Sequence, residues 1–335
     1  MADDPRTKLL TAKLRALASP HAGGDELVPA DFPGGASLVA GAAAWVLLEQ
    51  QAVTALGPAL VWADRRGATD VHLVVDDLEA AGIVARRGAC FDPAPTTWCI
   101  DGTHLAVAAP SEVPRAEAAA PAPELAELLV DADLEVLVES GIVRGEVLGL
   151  EVARIVHGTS SAGEPLDAPL LEVGVGQADR ELTGMLHGGL PPREQLARVS
   201  EIVRHQRTPD ARPHPLNQLV PERWLRATLV ADPGRIGLEE LRPVEAAIPR
   251  ANLRDKGVAI GHGRRPDGAP VVVACSVGID LDLVPAAADA RLAVDPDADL
   301  VVVVPERDAH PVTRALASRL VRPAELVALE GDWRR

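Results

Sequence analysis

Aromatic residues and lysine are scarce in this sequence of 335 residues, which has no tyrosine and only two phenylalanines. Rows of aromatic side chains on which nucleic-acid bases stack, as in RRM and OB domains, are therefore excluded. Lysine occurs three times, at Lys8, Lys13 and Lys256. Any chemistry that depends on a lysine side chain consequently has very few candidates.

Cysteine and long apolar runs are scarce as well. Cys90, Cys99 and Cys275 form an odd set without a Cys-x-x-Cys pair, which argues against a zinc site or a disulfide framework. The sequence has no run of about 18 uncharged apolar residues, so we expect no membrane span. Its first ten residues, MADDPRTKLL, lack the basic end and apolar core of a secretory signal. We therefore expect a soluble, cytoplasmic protein without a membrane partner.

Basic residues are outnumbered, since 33 lysines and arginines face 49 aspartates and glutamates and give a net charge of −16. This excess of acidic residues argues against a protein whose whole surface is basic and binds nucleic acid. The chain is well supplied with apolar residues, at 47% of the total, so it can bury a sizeable core. Its length allows two ordinary domains or three small ones.

The order of predicted elements indicates an α/β protein with mixed sheets. After Ala36 the sequence predicts a hairpin, a helix, a strand, a helix and a strand, and the same order returns after Gly257. We predict an internal duplication, with convergence on a common α/β pattern as the alternative. The predicted divisions are an N-terminal helix and connector (1–30), an α/β unit (31–106), an Ala/Pro-rich linker (107–123), a central hairpin-helical module (124–250) and a second, related α/β unit (251–335).

Two glutamates on a predicted hairpin of the central module are candidates for a chemical site. Glu151 lies in GLEVARI and Glu172 in LLEVGVG, and neighbouring antiparallel strands can bring such carboxylates side by side. Adjacent carboxylates repel each other unless a cation such as Mg²⁺ lies between them, which would activate a water and neutralise a phosphodiester. Glu139 and Glu146 are candidates for an additional metal ligand. Glu139 lies near the end of a helix that the sequence predicts over 124–141, with a break near Asp133. Candidates to orient water or hold phosphate are Gln177, Arg180 and Arg154.

At these residues the chain distantly resembles the PD-(D/E)XK nuclease superfamily, over roughly residues 124–190. That family presents an acid on one strand and an acid-x-Lys on the next strand, followed by a helix. GLEVARI is similar to the first piece, and LLEVGVGQADREL is similar to the second piece with its helix. The resemblance implies a metal-dependent phosphodiesterase with Glu151 and Glu172 as catalytic Mg²⁺ ligands. Gly174 stands at the position of the family's lysine, so Gln177 or Arg180 would have to substitute, or the protein is an inactive relative.

The same stretch allows two other interpretations. The glutamates can pair with arginines such as Arg154 and Arg180, in which case they are structural. Gly174 and Gly176 lie between a strand and a helix, where glycines let a backbone approach a phosphate at the helix N-terminus. Asp179 replaces the third glycine of the dinucleotide fingerprint, so a strand-to-helix bend is the simpler explanation of these glycines.

Residues 190–226 form a locally basic segment, with seven arginines against four acidic residues. A positive helical face beside an acidic hairpin suits a protein that binds the phosphate backbone of nucleic acid. A solvated helix that pairs with the acidic remainder of the chain is the alternative. The predicted nucleic-acid contacts are Arg180, Arg198, Arg204 and Arg207.

A polar segment follows the predicted strand ADLVVVVPE near the end of the chain. Its residues lie at the carboxyl end of that strand, which is the edge where α/β sheets place ligands. A loop that caps the following helix is the alternative. The residues concerned are Glu306, Arg307, Asp308 and His310.

Two classes of function follow from these patterns. The first is a divergent PD-(D/E)XK-like, nucleic-acid-associated protein that uses Mg²⁺ if it is active. The second is a non-catalytic protein-binding or scaffold protein of α/β repeats, whose partner is another protein or a second copy of this chain.

Overall fold

The protein is a mixed α/β molecule with three sheets, and its computed structural model describes residues 5–187, 190–209, 214–250, 252 and 256–334. Within these residues the strands are β1 (Val28–Ala30), β2 (Gly35–Ala40), β3 (Ala43–Leu48), β4 (Asp70–Val75), β5 (Thr96–Asp101), β6 (His104–Val107), β7 (Glu135–Glu139), β8 (Ile142–Val147), β9 (Leu150–Val156), β10 (Leu170–Val173), β11 (Glu240–Val244), β12 (Ala259–Arg264), β13 (Pro270–Cys275), β14 (Asp299–Pro305) and β15 (Glu325–Leu329). The α-helices are α1 (Pro5–Ala18), α2 (Leu56–Asp64), α3 (Leu78–Gly88), α4 (Pro123–Asp131), α5 (Gly176–His187), α6 (Pro192–Gln206), α7 (Pro215–Gln218), α8 (Pro221–Ala231), α9 (Leu283–Val294) and α10 (Pro311–Ser318).

The chain groups into two compact units, and each of them is assembled from separate stretches of sequence. Unit 1 comprises Met1–Val113, Asp280–Leu292 and His310–Glu325, and unit 2 comprises Pro114–Ile279, Ala293–Ala309 and Leu326–Arg335. Among the described helices, none has both the length and the apolar character that crossing a membrane requires.

Unit 1 is built on a six-stranded sheet with the order β1-β2-β3-β4-β5-β6. The neighbours β3, β4 and β5 are parallel, whereas the outer strands pair antiparallel. Parallel neighbours need crossover connections, which α2 and α3 supply. Strands β3 and β4 are largely apolar and buried, as central parallel strands usually are. On this sheet, Leu14 and Leu17 of α1 join Leu38, Trp45 and Val74 in one apolar core.

A cluster of buried charges also lies in unit 1, where two arginines of α3 meet an aspartate of α9. Asp289 has no exposed surface. Its Oδ1 accepts Nε of Arg86 at 2.7 Å, and its Oδ2 accepts Nη2 of Arg86 and Nε of Arg87 at 3.0 Å each. Nη1 of Arg87 also lies 3.2 Å from Oδ2 of Asp282. One guanidinium group is therefore shared between two carboxylates.

The carboxyl group of Asp282 should make the stability of unit 1 depend on pH. Burial raises the pKa of Asp282 to about 7, although Arg87 opposes the rise. Since this pKa lies above the ordinary 3.8, the group contributes stability that is fully present below about pH 4 and is lost as the pH rises through about 7. We expect an Asp282→Asn variant to lose less free energy of unfolding than the wild type over this interval, by about 4 kcal/mol.

Urea denaturation at a series of pH values measures this difference between the variant and the wild type. Asp101→Asn is a suitable control, because Asp101 is an exposed carboxylate at the end of β5 in the same unit. The control should keep the pH profile of the wild type. An Asp282→Asn variant that also keeps that profile would show that Asp282 does not titrate in this way.

The sheet that lies between the other two in chain order belongs to unit 2 and is called the central sheet. It is antiparallel and has four strands in the order β10-β9-β8-β7. Its apolar core contains Val152 and Ile155 of β9, together with Leu129 of α4 and Leu196 and Val203 of α6. The hairpin predicted from the sequence is present as β9 and β10. Helix α6 begins at Pro192, the second residue of the proline pair 191–192, where the missing N–H of proline needs no partner.

The helix predicted over 124–141 is wrong beyond its expected break. Helix α4 ends at Asp131, Asp133 has a φ of +56°, and the chain continues as strand β7. On β7 the side chains of Leu137 and Glu139 are buried while Val138 is exposed. Glu139 thus occupies a buried position where strands usually carry an apolar residue. Because it is charged, the sequence of β7 lacks the alternation of apolar and polar residues that indicates a strand.

The second sheet of unit 2 has the order β11-β12-β13-β14-β15. Strands β11, β12 and β13 pair antiparallel, and β13 pairs parallel with β14. Helix α8 contributes Trp224 and Leu225 to a core that includes Val271, Val273 and Val301. Along the chain, the order β12-β13-α9-β14-α10-β15 repeats the order β2-β3-α2-β4-α3-β5. The predicted α/β class with mixed sheets is confirmed, and the internal duplication stays a prediction.

Candidate functional site

The predicted carboxylate site lies on β9 and β10, but the register of the strands separates its two glutamates. Glu172 stands opposite Arg154, and Glu151 stands opposite Glu146 of β8, beside an irregularity in the pairing at Gly145. The two carboxylates are therefore not the cross-strand neighbours expected from the sequence. Each of them has a different charged residue as its cross-strand neighbour.

Glu151 is buried, with 4% of its surface exposed, and it binds three arginines. Its Oε2 accepts a hydrogen bond from Nη1 of Arg144 at 2.7 Å. Its Oε1 accepts hydrogen bonds from Nε of Arg154 at 2.6 Å and from Nη1 of Arg180 at 3.1 Å. Both oxygens of this carboxylate are therefore engaged by guanidinium groups.

Glu172 is held by Ser161 and by Arg180. The backbone N–H of Ser161 donates to Oε1 at 2.6 Å and its hydroxyl donates to Oε2, while Nε of Arg180 lies 3.7 Å from Oε2. Ser161 belongs to the loop of residues 157–169 that joins β9 to β10, so this carboxylate fastens the loop. Arg180 of α5 is the positively charged group that Glu151 and Glu172 share.

Gln177, the amide predicted to assist catalysis, is exposed and bound to neighbouring groups of the chain. Its Nε2 donates to the carbonyl oxygen of Ser161 at 3.2 Å and to Oε1 of Glu181 at 3.0 Å. These bonds connect the first turn of α5 to the loop that Glu172 also holds. They give the Gln177 side chain a structural task at this end of the sheet.

Buried charge pairs continue from Glu151 across β8 and β7. Nη1 of Arg144 lies 3.1 Å from Oε2 of Glu139, and Arg223 of α8 binds Glu139 and Glu146 at 2.5 Å each. Nη2 of Arg226 binds Oε2 of Glu146 at 2.6 Å. Five carboxylates thus face five guanidinium groups. We call these residues the Glu–Arg network: Glu135, Glu139, Glu146, Glu151 and Glu172 with Arg144, Arg154, Arg180, Arg223 and Arg226.

The pKa values in the network follow burial and pairing. Burial alone would raise the pKa of Glu146, but Arg226 and Arg223 outweigh it and hold this pKa below its usual range. Burial raises the pKa of Glu135, whose partner Arg226 is shared with Glu146, because the opposing effect of that arginine is too small. Burial also lowers the pKa of Arg180. Ionised Glu146 is therefore the carboxylate that this network stabilises most clearly.

The arrangement does not fit a Mg²⁺ ion bound between Glu151 and Glu172. Magnesium needs carboxylate oxygens that can turn towards it, whereas these oxygens face guanidinium groups and Ser161. Gly174 occupies the position at which the nuclease superfamily has its lysine. In the described ranges, no group of three or more His, Cys, Asp or Glu side chains is arranged to hold a metal ion.

The glycines before α5 serve the packing of the helix against the strand. Gly174 has a φ of +143°, and a Cβ atom at this position would lie 2.8 Å from the backbone nitrogen of Arg180. The carboxylate of Asp179 accepts the N–H of Val175 at 2.7 Å. It therefore occupies the helix N-terminus at which a dinucleotide would place its phosphate. This geometry favours the strand-to-helix bend over a phosphate site.

The basic segment 190–226 keeps much of its charge inside the protein. Arg207 is 2% exposed, and its guanidinium group donates to the carbonyl oxygens of Leu148, Leu216 and Leu219. Burial lowers the pKa of Arg207 to about 10. This arginine cross-links three backbone segments and does not present its charge at the surface.

The other predicted nucleic-acid contacts differ in their exposure. Arg180 is part of the Glu–Arg network, and Arg204 on α6 donates to the carbonyl oxygen of Asp133 at 3.0 Å. Arg198 is exposed on α6. Arg212 lies outside the described residues. Nucleic-acid binding by this segment stays a prediction, with Arg198 and Arg204 as the members that reach the surface.

The fold and the Glu–Arg network together define the class of this protein: an α/β protein with three sheets, the central one held by buried ion pairs. Comparisons of the chain with models of protein families, with curated proteins and with solved structures find no match. The resemblance to PD-(D/E)XK nucleases therefore stays a prediction that depends on GLEVARI and LLEVGVGQADREL alone.

Proposed function

We propose that this protein is a non-catalytic binding or scaffold protein, in which the Glu–Arg network holds the central sheet together. The observation that carries this proposal is the pairing of five carboxylates with five arginines around Glu151 and Glu172. A network with balanced charge has no surplus negative charge with which to attract a dication. It has no surplus positive charge with which to hold a phosphodiester either.

Conversion of this network into a metal site would be energetically expensive. A carboxylate of the network that turned towards Mg²⁺ would leave its arginines without a partner. A buried charge that loses its partner costs about 3–5 kcal/mol. Glu151 has three such arginines, namely Arg144, Arg154 and Arg180. The geometry therefore supports a structural role for Glu151 better than a catalytic one.

Exposed apolar side chains on edge strands support the binding part of the proposal. Val28 on β1, Val107 on β6 and Leu170 on β10 are 47%, 65% and 41% exposed. Each of these strands is the outermost strand of its sheet within the described residues. Edge strands with unpaired backbone groups and apolar side chains are surfaces on which proteins add strands from a partner. The repeated order of elements in the two α/β segments is in keeping with a scaffold built by duplication.

The proposal is tested by a search for metal-dependent cleavage. The protein is titrated with Mn²⁺ in a calorimeter and is offered single-stranded, duplex and branched DNA and RNA with Mg²⁺ or Mn²⁺. We expect no saturable metal binding at the network and no cleavage. We also expect Glu151→Gln to lower the midpoint of urea denaturation, because three arginines lose their charged partner.

Glu164→Gln is the matched control, since Glu164 is an exposed carboxylate on the loop that carries Ser161. It should leave the midpoint of denaturation unchanged. Metal-dependent cleavage that disappears in a Glu172→Gln variant with an unchanged denaturation midpoint would overturn the proposal in favour of the nuclease. Salt-sensitive binding of nucleic acid that depends on Arg198 would replace the protein partner with a nucleic acid.

A further inference from the structure

A cleft in unit 2 lies at the carboxyl ends of β14 and β15, far along the chain from the Glu–Arg network. Its volume is about 360 Å³, and it is lined by the residues that directly follow each of the two strands. This volume is within the usual range for small-molecule sites. The carboxyl edge of an α/β sheet is also where such proteins place ligands. We call it the strand-end cleft, and its charged and aromatic lining consists of Glu306, Arg307, Asp332, Trp333 and Arg334.

Arg334 supplies a positive charge to this cleft that no described carboxylate neutralises. Its guanidinium carbon lies 5.0 Å from the ring centre of Trp333 and 5.6 Å from that of Trp224. Its Nε is buried and has no hydrogen-bond partner among the described residues. This Nε is closed off from the cleft, so a ligand would meet the rest of the Arg334 side chain, which lines the cleft. The two indole rings fix the position of the guanidinium group.

The other wall of the cleft carries charges of both signs. Arg307 has 67% of its side chain exposed, and its Nε lies 3.8 Å from Oδ1 of Asp308. The other oxygen of Asp308 accepts a hydrogen bond from the N–H of Gly278 at 2.8 Å, so both oxygens of this carboxylate already have partners in the protein. Glu306 is exposed beside Arg307. Asp332 adds a second carboxylate, and its Oδ1 accepts the N–H of Arg334 at 3.2 Å.

We propose that the strand-end cleft binds a small zwitterionic molecule, an amino acid or a related compound with a carboxylate and an amine. The carboxylate is held by Arg334 and Arg307, and the amine by Glu306 and Asp332. The hydrocarbon part of the ligand passes the small part of Trp333 that lines the cleft, since the rest of this indole is buried in the core. Two guanidinium groups and two carboxylates line one cleft, and a ligand with both charges complements such a lining better than a simple anion or cation. This site is independent of the proposed scaffold function, because it shares no residue with the Glu–Arg network.

Matched probes that differ only in charge test the proposal. The full-length protein is titrated in a calorimeter with ε-aminocaproate, caproate and hexylamine, and with β-alanine, propionate and propylamine. Glycine and inorganic phosphate complete the series. We expect saturable binding of at least one zwitterion, roughly tenfold or more tighter than binding of its two single-charge analogues. The fluorescence of Trp333 and Trp224 should change along with binding.

Substitutions test which residues bind the carboxylate of the ligand and which bind its amine. Arg307→Gln should weaken binding of the zwitterion roughly tenfold without affecting the fold, because the Arg307 side chain is exposed. Glu306→Gln should remove the preference for the zwitterion over its carboxylate analogue. Arg198→Gln, a change at an exposed arginine of the same unit, should have no effect. Arg334→Lys keeps the charge but loses the planar guanidinium group that can hold a carboxylate with two hydrogen bonds, and it should weaken binding while near-ultraviolet circular dichroism stays unchanged.

Several results would overturn the proposal. One is the absence of saturable binding for every zwitterion. Another is equal affinity for a zwitterion and for its carboxylate analogue, and a third is tighter binding of phosphate than of any zwitterion. Binding that is insensitive to both Arg307→Gln and Glu306→Gln would place the ligand elsewhere on the protein.

Discussion

A Glu146→Gln variant is expected to lose about 3–5 kcal/mol of its free energy of unfolding. The Glu146 side chain is 1% exposed, and its oxygens lie 2.5 Å from Nη1 of Arg223 and 2.6 Å from Nη2 of Arg226. Glutamine keeps the shape of the side chain but removes its charge. Two buried guanidinium groups then lose the partner that offsets their desolvation. Urea denaturation followed by circular dichroism measures this loss.

Asp131→Asn is the matched control for Glu146→Gln in the same unit. Asp131 pairs with Arg193 at the surface, where an ion pair contributes at most about 1 kcal/mol. A double variant that also carries Arg226→Gln should cost less than the sum of the two single changes, because both partners of one pair are then neutral. Equal losses in Glu146→Gln and Asp131→Asn would contradict the structural role that we assign to the network.

The effect of Glu146→Gln should also depend on pH in a defined direction. The pKa of Glu146 in the folded protein lies below its ordinary value of 4.5. Its contribution to stability is therefore fully present above about pH 4.5 and is lost as the pH falls through the lower folded-state pKa. The difference in unfolding free energy between the wild type and the variant should shrink in acid.

In unit 1, an Asp289→Asn variant is expected to lose a similar amount, about 3–5 kcal/mol. Asp289 has no exposed surface and binds Arg86 through both of its oxygens, at 2.7 and 3.0 Å, and Arg87 through one of them, at 3.0 Å. Two buried guanidinium groups would remain without this charge. The remaining bonds of Arg86 go to the hydroxyl of Ser111 and the carbonyl of Glu112, which are neutral groups.

The control for Asp289→Asn is Asp64→Asn, which removes an exposed carboxylate 3.9 Å from Arg319 in the same unit. The control should change the unfolding free energy by no more than about 0.5 kcal/mol. Thermal and urea denaturation of both variants give the comparison. An Asp289→Asn variant as stable as Asp64→Asn would show that Arg86 and Arg87 are neutralised in another way.

Apolar runs in the sequence predict the interior strands and the well-bounded helices of this fold. DVHLVVD and ADLVVVVPE correspond to β4 and β14, and the proline pair marks the beginning of α6. The short edge strands β1, β6 and β11 were not predicted. They have three to five residues each, and their pairing depends on neighbours that are distant in sequence.

The candidate site was harder to predict than the fold, because a buried charge looks the same in a sequence as an exposed one. The sequence allows the pairing of glutamates with Arg154 and Arg180, because these arginines lie close by in the sequence. The partner of Glu146 is Arg223, which follows 77 residues later. Trp333 and Arg334 line the strand-end cleft together with Glu306 and Arg307, but they follow a different strand and carry no recognisable motif. Only the sheet brings these residues together.

Unit 1 is not a continuous stretch of the chain, and this has a consequence for how the protein is made. A ribosome that has synthesised residues 1–113 has produced the whole six-stranded sheet, but not the stretches Asp280–Leu292 and His310–Glu325. Asp289, the counter-charge of Arg86, is added 203 residues after it. At a usual rate of synthesis this interval is about 10–40 s.

During this interval Arg86 and Arg87 have no Asp289 to bind, and α2 lacks its neighbour α10. Chaperones shield the apolar surface that such incompletely folded chains expose. A fragment that ends before Asp280 would stay in that immature condition. Unit 1 therefore has all of its parts only after Glu325 has been synthesised.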